Sequence, residues 1–223
     1  MDNNYKKGAG GRLQPYVSKG NGERSGQYTK MSFREEFIIS ECCTKSDLPM
    51  ILSKEEIEAV KQYTIYEIGT TLNKAIRENR MSEDDAALKN KILSAISKHK
   101  LEEAVTVYRG ITVSRDVYRE NFLRNYLLDM PIIGSLICST SRSKTRAYIA
   151  ATTQNEEKIG IVFYGRLPRG YNALPIEGIS NSPAEKEILI STPKYQIENI
   201  EGTIWKGCKI MLIKIKIMKG EEK

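Results

Sequence analysis

Two glutamates at a spacing of i and i+2, Glu185 and Glu187, enter the apolar run Ile188-Leu189-Ile190 from a loop containing Asn181, Ser182 and Pro183. Residues two apart share a face of an extended chain, so this spacing sends both carboxylates into one cleft. Paired carboxylates suit glycosyl chemistry, in which positive charge develops on a sugar ring. An arginine closes the alternating run Val105-Thr106-Val107-Tyr108-Arg109 and is followed by Gly110. Its rigid fork of donors fits a phosphate. Three small hydroxyl residues, Ser139-Thr140-Ser141, follow an apolar run that ends in Cys138. One such hydroxyl can orient a carboxylate or a sugar hydroxyl. Each block also has an ordinary structural reading: a charged strand start, a surface arginine at a strand end, and caps for a helix beginning near Lys144.

Composition removes competing chemistries. The 223-residue chain has one histidine, His99, in the polar stretch Ser97-Lys98-His99-Lys100, which reads as a solvated helix end. The four cysteines, Cys42, Cys43, Cys138 and Cys208, form no C-x-x-C. Neither a metal site nor a disulfide framework is expected. No run of about 18 apolar residues exists, so no membrane span is expected. The N-terminus has no apolar signal region. The expected location is therefore cytoplasmic, or a target cell reached without a Sec-type signal peptide. The net charge is +7, and residues 1–30 hold six basic and two acidic residues, so the remainder is nearly balanced. A solvated basic arm explains this better than a nucleic-acid surface.

The elements that position these residues divide into helices first and strands later. Residues 1–30, rich in Gly, Asn, Ser and Lys, read as a flexible arm or linker, and residues 31–223 as one domain, ordered from near Met31–Ile39. Ser53-Lys54-Glu55-Glu56 is a capping box. Behind it Ile57, Val60, Thr64, Ile68, Leu72 and Ile76 predict one long amphipathic helix. A second helix follows Ser82 on Leu88, Ile92, Leu93 and Ile96. Strands are predicted at 105–109, 131–138, 159–164, 187–191, 195–200 and 208–218. Helices are predicted at 115–129, burying Val117, Phe122 and Leu127, and at 144–152. In the last strand Ile213, Ile215 and Ile217 alternate with Lys214 and Lys216, leaving one face wet. The pattern is α+β: N-terminal helices packed on a mixed, mainly antiparallel two-sheet core.

The order Tyr108-Arg109, then Ser139-Thr140-Ser141, then Glu185-x-Glu187 resembles the arginine–serine–glutamate class of mono-ADP-ribosyltransferases. That class includes binary actin-modifying toxins, phage enzymes and exoenzymes acting on Rho proteins. Tyr63-Thr64, Leu72-Asn73 and Ile76-Arg77 look like the family's N-terminal helix. Leu167-Pro168-Arg169-Gly170-Tyr171-Asn172-Ala173 looks like its proline-glycine turn. Together the resemblance covers roughly residues 40–218.

The resemblance implies NAD as substrate, no metal, and a target macromolecule, a protein in preference to a nucleic acid. It implies that Arg109 contacts the NAD phosphates. Ser139 holds the nicotinamide ribose side and positions Glu187, which bonds the ribose 2′-hydroxyl and stabilises the oxocarbenium ion. Glu185 engages the acceptor, and a glutamate there implies arginine. Tyr63, Asn73, Arg77, Gly110, Thr140 and Ser141 are the further expected cofactor-binding residues. The sequence departs from the family in three places. No aromatic stands in Ser180-Asn181-Ser182-Pro183, Leu136 precedes Ser139 by three, and Gly110 follows Arg109 where a second arginine can stand. Three other readings stay open: transfer to nucleic acid, NAD hydrolysis by water, and a silent binding module. The chain is also expected to be a toxin or phage effector, or part of a longer polypeptide.

Overall fold

The computed structural model describes residues 51–218. The expected arm at 1–30, the start of order near Met31–Ile39, and Cys42 and Cys43 lie outside the described residues. Helix α1 (Lys54–Tyr63) begins at Ser53, whose hydroxyl accepts from the Glu56 N–H while the Glu56 carboxylate accepts from the Ser53 N–H. The capping box is thus present as expected.

The long helix is not continuous. It ends at Tyr63 and restarts as α2 (Tyr66–Glu78) after Ile65, which is extended at φ −75° and ψ 119°. The β-branched Ile65 gives up helical geometry while Thr64 stays right-handed, and Thr64 Oγ1 donates to the Lys61 carbonyl at 2.8 Å. Gly69 permits the kink: a Cβ there would lie 2.5 Å from the Tyr63 carbonyl oxygen. The 3.6-residue periodicity runs through the break, so apolar spacing alone hides it.

Helix α3 (Glu83–Lys98), capped by Ser82, buries Ile92 and Ile96. It packs with α1 and α2 against strands β3 (Ile137–Ser141), β5 (Ala173–Pro175) and β6 (Glu187–Ser191), around Val60, Leu72, Leu174 and Leu189. His99 caps α3 as expected, but it is half-buried, with Nδ1 2.6 Å from the Ala173 carbonyl oxygen.

Strand β1 (Val105–Ser114) pairs along its whole length with β4 (Lys158–Leu167). Between β1 and β3 runs a helical segment, α4, made of Arg115–Val117, the π-helical Tyr118–Leu123 and Arg124–Leu127. The wide π-turns rotate the apolar stripe. Of the three positions expected to be buried, Phe122 is; Val117 and Leu127 are 39% and 72% exposed. The strand expected at 131–138 is two short strands at distant places in the sheet, β2 (Ile132–Ile133) and β3. Gly134 backs directly onto Pro193 at the break. Helix α5 (Lys144–Ala151) covers β1 and β4, and β7 (Lys194–Trp205) with β8 (Cys208–Ile217) completes the core. Along β8, Ile213 is buried and Lys214 and Lys216 are exposed, as expected. No described helix is long and apolar enough to cross a membrane.

The sheet order is β2-β7-β8-β4-β1-β3-β6-β5, antiparallel throughout except for β4 and β8. One junction differs from the rest. Strands β1 and β3 share a single paired position, Tyr108 with Ser141. The expected two-sheet core is therefore two halves of one sheet, opened between β1 and β3.

Candidate active site

Arg109 sits one residue past that last pair, where the strands part. Its Nη1 donates to the Cys138 sulfur and to the Ser139 carbonyl oxygen, both at 2.8 Å. A side-chain donor thus serves a β3 carbonyl where the ladder to β1 has ended. Arg109 is not the surface arginine of the ordinary structural reading.

Alternation along β3 sorts the hydroxyl block. Ser139-Thr140-Ser141 lies within the strand rather than at its exit, and α5 is capped instead by Ser143, which accepts from the Arg146 N–H. Cys138 and Thr140 face one side. Thr140 Oγ1 donates to the Ile188 carbonyl at 2.9 Å. Ser139 and Ser141 face the other side, where Ser141 pairs with Glu187 across β6. Diagonal neighbours on one sheet face are within side-chain reach, and the Ser139 hydroxyl favours the charged form of the Glu187 carboxylate.

Glu187 is buried at 8% exposure. Burial pushes its carboxyl above the ordinary value, the nearby Glu185 charge adds to this, and the Ser139 hydroxyl and Arg109 guanidinium oppose it. The two glutamates are not on one extended strand. Glu185 ends a 3₁₀ turn (Pro183–Glu185), and Lys186 is left-handed at φ 47°. The left-handed residue between them breaks the shared face, and Glu187 is buried while Glu185 is exposed. Three anchors hold this turn. Ser141 Oγ donates to the Glu185 carbonyl, the Arg142 N–H donates to the Lys186 carbonyl at 3.0 Å, and Asn181 reaches α1. Asn181 Nδ2 donates to the Lys61 carbonyl at 2.8 Å and to Thr64 Oγ1 at 3.1 Å, and its N–H donates to the same hydroxyl at 3.1 Å. The helix break thus supplies the acceptors that fix the glutamate loop.

Tyr63 is buried beneath the site, its hydroxyl accepting from Asn73 Nδ2 at 2.9 Å. Burial raises its phenol pKa; Asn73 and Arg109 oppose the shift and Glu187 reinforces it, so the ring lies within the electrostatic reach of both site charges. A cavity of about 650 Å³ opens on the other side of the sheet. Of the expected residues it takes Arg77, Arg109 and Thr140. Ser139, Ser141, Glu185 and Glu187 do not line it; by alternation Ser139, Ser141 and Glu187 lie on the opposite face of β3 and β6. Gly110, expected to bind cofactor, faces α5 instead: a Cβ would fall 1.8 Å from the Ala147 carbonyl oxygen. Its lack of a side chain is a packing requirement.

Three cavity residues had no signal in the sequence: Asn121 and Asn125 on α4, and Tyr195 on β7. Burial, with Cys138 adding and Arg109 opposing, pushes the Tyr195 phenol up to about 12. Cys138 was legible only as the neighbour of Ser139.

The family model described as ADP-ribosyltransferase exoenzyme matches residues 43–220. The chain belongs to this family. Among solved structures it is similar to Plx2a, an ADP-ribosyltransferase toxin from Paenibacillus larvae, at 21% identity and a TM-score of 0.64, over 78% of this chain and 90% of that one. It is similar to the Clostridium limosum C3 exoenzyme at 19% identity and a TM-score of 0.57, over 74% and 86%. It is also similar to C3stau2 from S. aureus, solved with NAD, at 18% identity and a TM-score of 0.56, over 74% and 88%. At such identities the likeness is one of fold. A search of curated proteins found no match. Family membership bears out the resemblance read from the three blocks, and the α+β fold with it.

Proposed function

We propose that this ADP-ribosyltransferase domain transfers ADP-ribose from NAD to an arginine side chain of a target protein. The observation that carries the reading is the contrast between the glutamates. Glu187 is buried beside Ser139 and within reach of the Arg109 charge; Glu185 stands near it in solvent.

The cavity volume lies in the range of small-ligand sites, roughly 300–1,000 Å³. NAD would place its pyrophosphate on Arg109, with Arg77, Thr140 and the cavity beyond taking the adenosine side. The nicotinamide ribose would reach through the opening between β1 and β3 to Ser139 and Glu187 on the opposite face. The bond between ribose C1′ and the nicotinamide nitrogen breaks, and nicotinamide leaves with the electron pair. The Glu187 carboxylate stabilises the cation left on the sugar. A guanidinium nitrogen of the acceptor then forms the new bond to C1′. Its proton passes to Glu185, which can reach solvent and an incoming chain. Water in place of the acceptor gives NAD hydrolysis. The domain acts as a toxin or phage effector inside a target cell.

The test uses radiolabelled NAD with agmatine as a small guanidino acceptor. Glu185→Gln should keep most NAD hydrolysis and lose transfer to agmatine. Equal loss of both would place Glu185 in the donor site. Persistent transfer would refute the acceptor assignment and favour a different side chain or a nucleic acid.

A further inference from the structure

We infer that Cys138 is a positioning residue for Arg109, fixing which edge of the guanidinium meets the donor; this rests on the donor site proposed above. An arginine has five N–H donors in one plane. Nη1 carries two of them, and both are used: one on the Cys138 sulfur and one on the Ser139 carbonyl, each at 2.8 Å. Among the described residues, none accepts from Nε or Nη2. The three remaining donors therefore form the edge presented to an anion, the fork that matches two phosphate oxygens.

Two acceptors on one nitrogen do what one cannot. The Ser139 carbonyl alone would let the guanidinium turn about its last side-chain bonds. It would then offer Nη1 and Nη2 interchangeably. The Cys138 sulfur supplies the second fixed point. It is suited to that place, since Cys138 is 7% exposed and alternation on β3 aims it at the seam and the cavity. Valine or alanine there would fill the core without an acceptor. Thr140, the next residue on the same face, directs its hydroxyl to Ile188 instead.

The experiment measures NAD binding by calorimetry and NAD hydrolysis kinetics for wild type, Cys138→Ala, Cys138→Ser, Arg109→Lys and Cys138→Ala/Arg109→Lys. Cys138→Ala should raise Kd and KM roughly 5-fold, the scale of one lost hydrogen bond, with kcat within about twofold. Cys138→Ser, which restores an acceptor, should recover part of that loss. In the Arg109→Lys background, Cys138→Ala should have no further effect on Kd, because the geometry it guards is already gone. The same fold-change in both backgrounds would overturn the inference, since a core-packing defect acts regardless of residue 109. Unchanged Kd in Cys138→Ala would also overturn it. If Cys138→Ala fails to fold, the same cycle run with Cys138→Val, which fills the site without an acceptor, keeps the contrast. A folded wild type that binds no NAD is a distinct failure: it removes the donor site itself.

Discussion

Replacing Asn181 with alanine should loosen the glutamate turn while leaving the rest of the domain folded. The side chain contributes two hydrogen bonds to α1, at 2.8 and 3.1 Å, and the backbone N–H a third at 3.1 Å. The substitution removes the first two. Each neutral bond is worth about 0.5–1.5 kcal/mol net, and exposed ones sit low in that range. The docked state of the loop therefore loses about 1–2 kcal/mol, or roughly 5- to 30-fold in its equilibrium with an undocked state. The amides of Glu185 and Lys186, which donate to Ser182 and Pro183 within the turn, should lose protection by that factor in hydrogen exchange. Transfer to agmatine should fall with them. NAD hydrolysis should fall less, because Glu187 is held separately by its pairing with Ser141 in the sheet. Thr64→Val removes the hydroxyl from the other side and should give the same pattern. Unchanged exchange at Glu185 and Lys186 in both variants would show that the helix break does not fix the turn.

Three further outcomes follow from buried groups. Glu187→Gln should cost on the order of 100- to 1000-fold in NAD hydrolysis, yet raise the melting temperature near neutral pH. The folded-state pKa of Glu187 is raised, so its ionised form opposes folding at pH values above the ordinary value near 4.5. A calorimetric scan would register each 1 kcal/mol gained as about 2–4 °C, and a lowered melting temperature would contradict the burial argument. Glu56 has the opposite sign. Burial disfavours its charge, but Lys98 at 2.6 Å, the Ser53 N–H and the Ser94 hydroxyl outweigh that and lower its pKa. Its contribution is present above about pH 4.5 and is lost as pH falls through the folded value, so Lys98→Met should flatten the acid limb of a stability-versus-pH curve. Gly110→Ala should cost at least about 1–3 kcal/mol, because α5 must rise from β1 to clear a Cβ placed 1.8 Å from the Ala147 oxygen; wild-type urea stability would refute the packing.

Regular elements were legible where periodicity and chemistry agreed. The capping box at Ser53, the helix after Ser82, the strand 187–191 and the wet face of β8 stand where the pattern puts them. Legibility failed where local backbone geometry overrode a sound period. The helix breaks between Thr64 and Ile65 without disturbing its apolar spacing. The π-turns of α4 expose Val117 and Leu127. The turn at Lys186 undoes the shared face expected of Glu185 and Glu187. Motifs singled out Arg109, Ser139 and Glu187 as candidates, whereas the cavity residues Tyr195 and Asn121, placed only by tertiary packing, gave no signal. Cys138 carries no motif, and its bond to Arg109 depends on two strands that part after one pair.

At that parting, strands β1 and β3 share only the pair of Tyr108 with Ser141, and the Ser139 carbonyl takes its bond from the Arg109 guanidinium. A β-branched residue at 109 would remove the guanidinium and favour closure of the seam in one stroke. Loss of activity in such a variant would combine a vanished anion contact with a vanished space, whereas Arg109→Lys leaves a cation in the gap and separates the two.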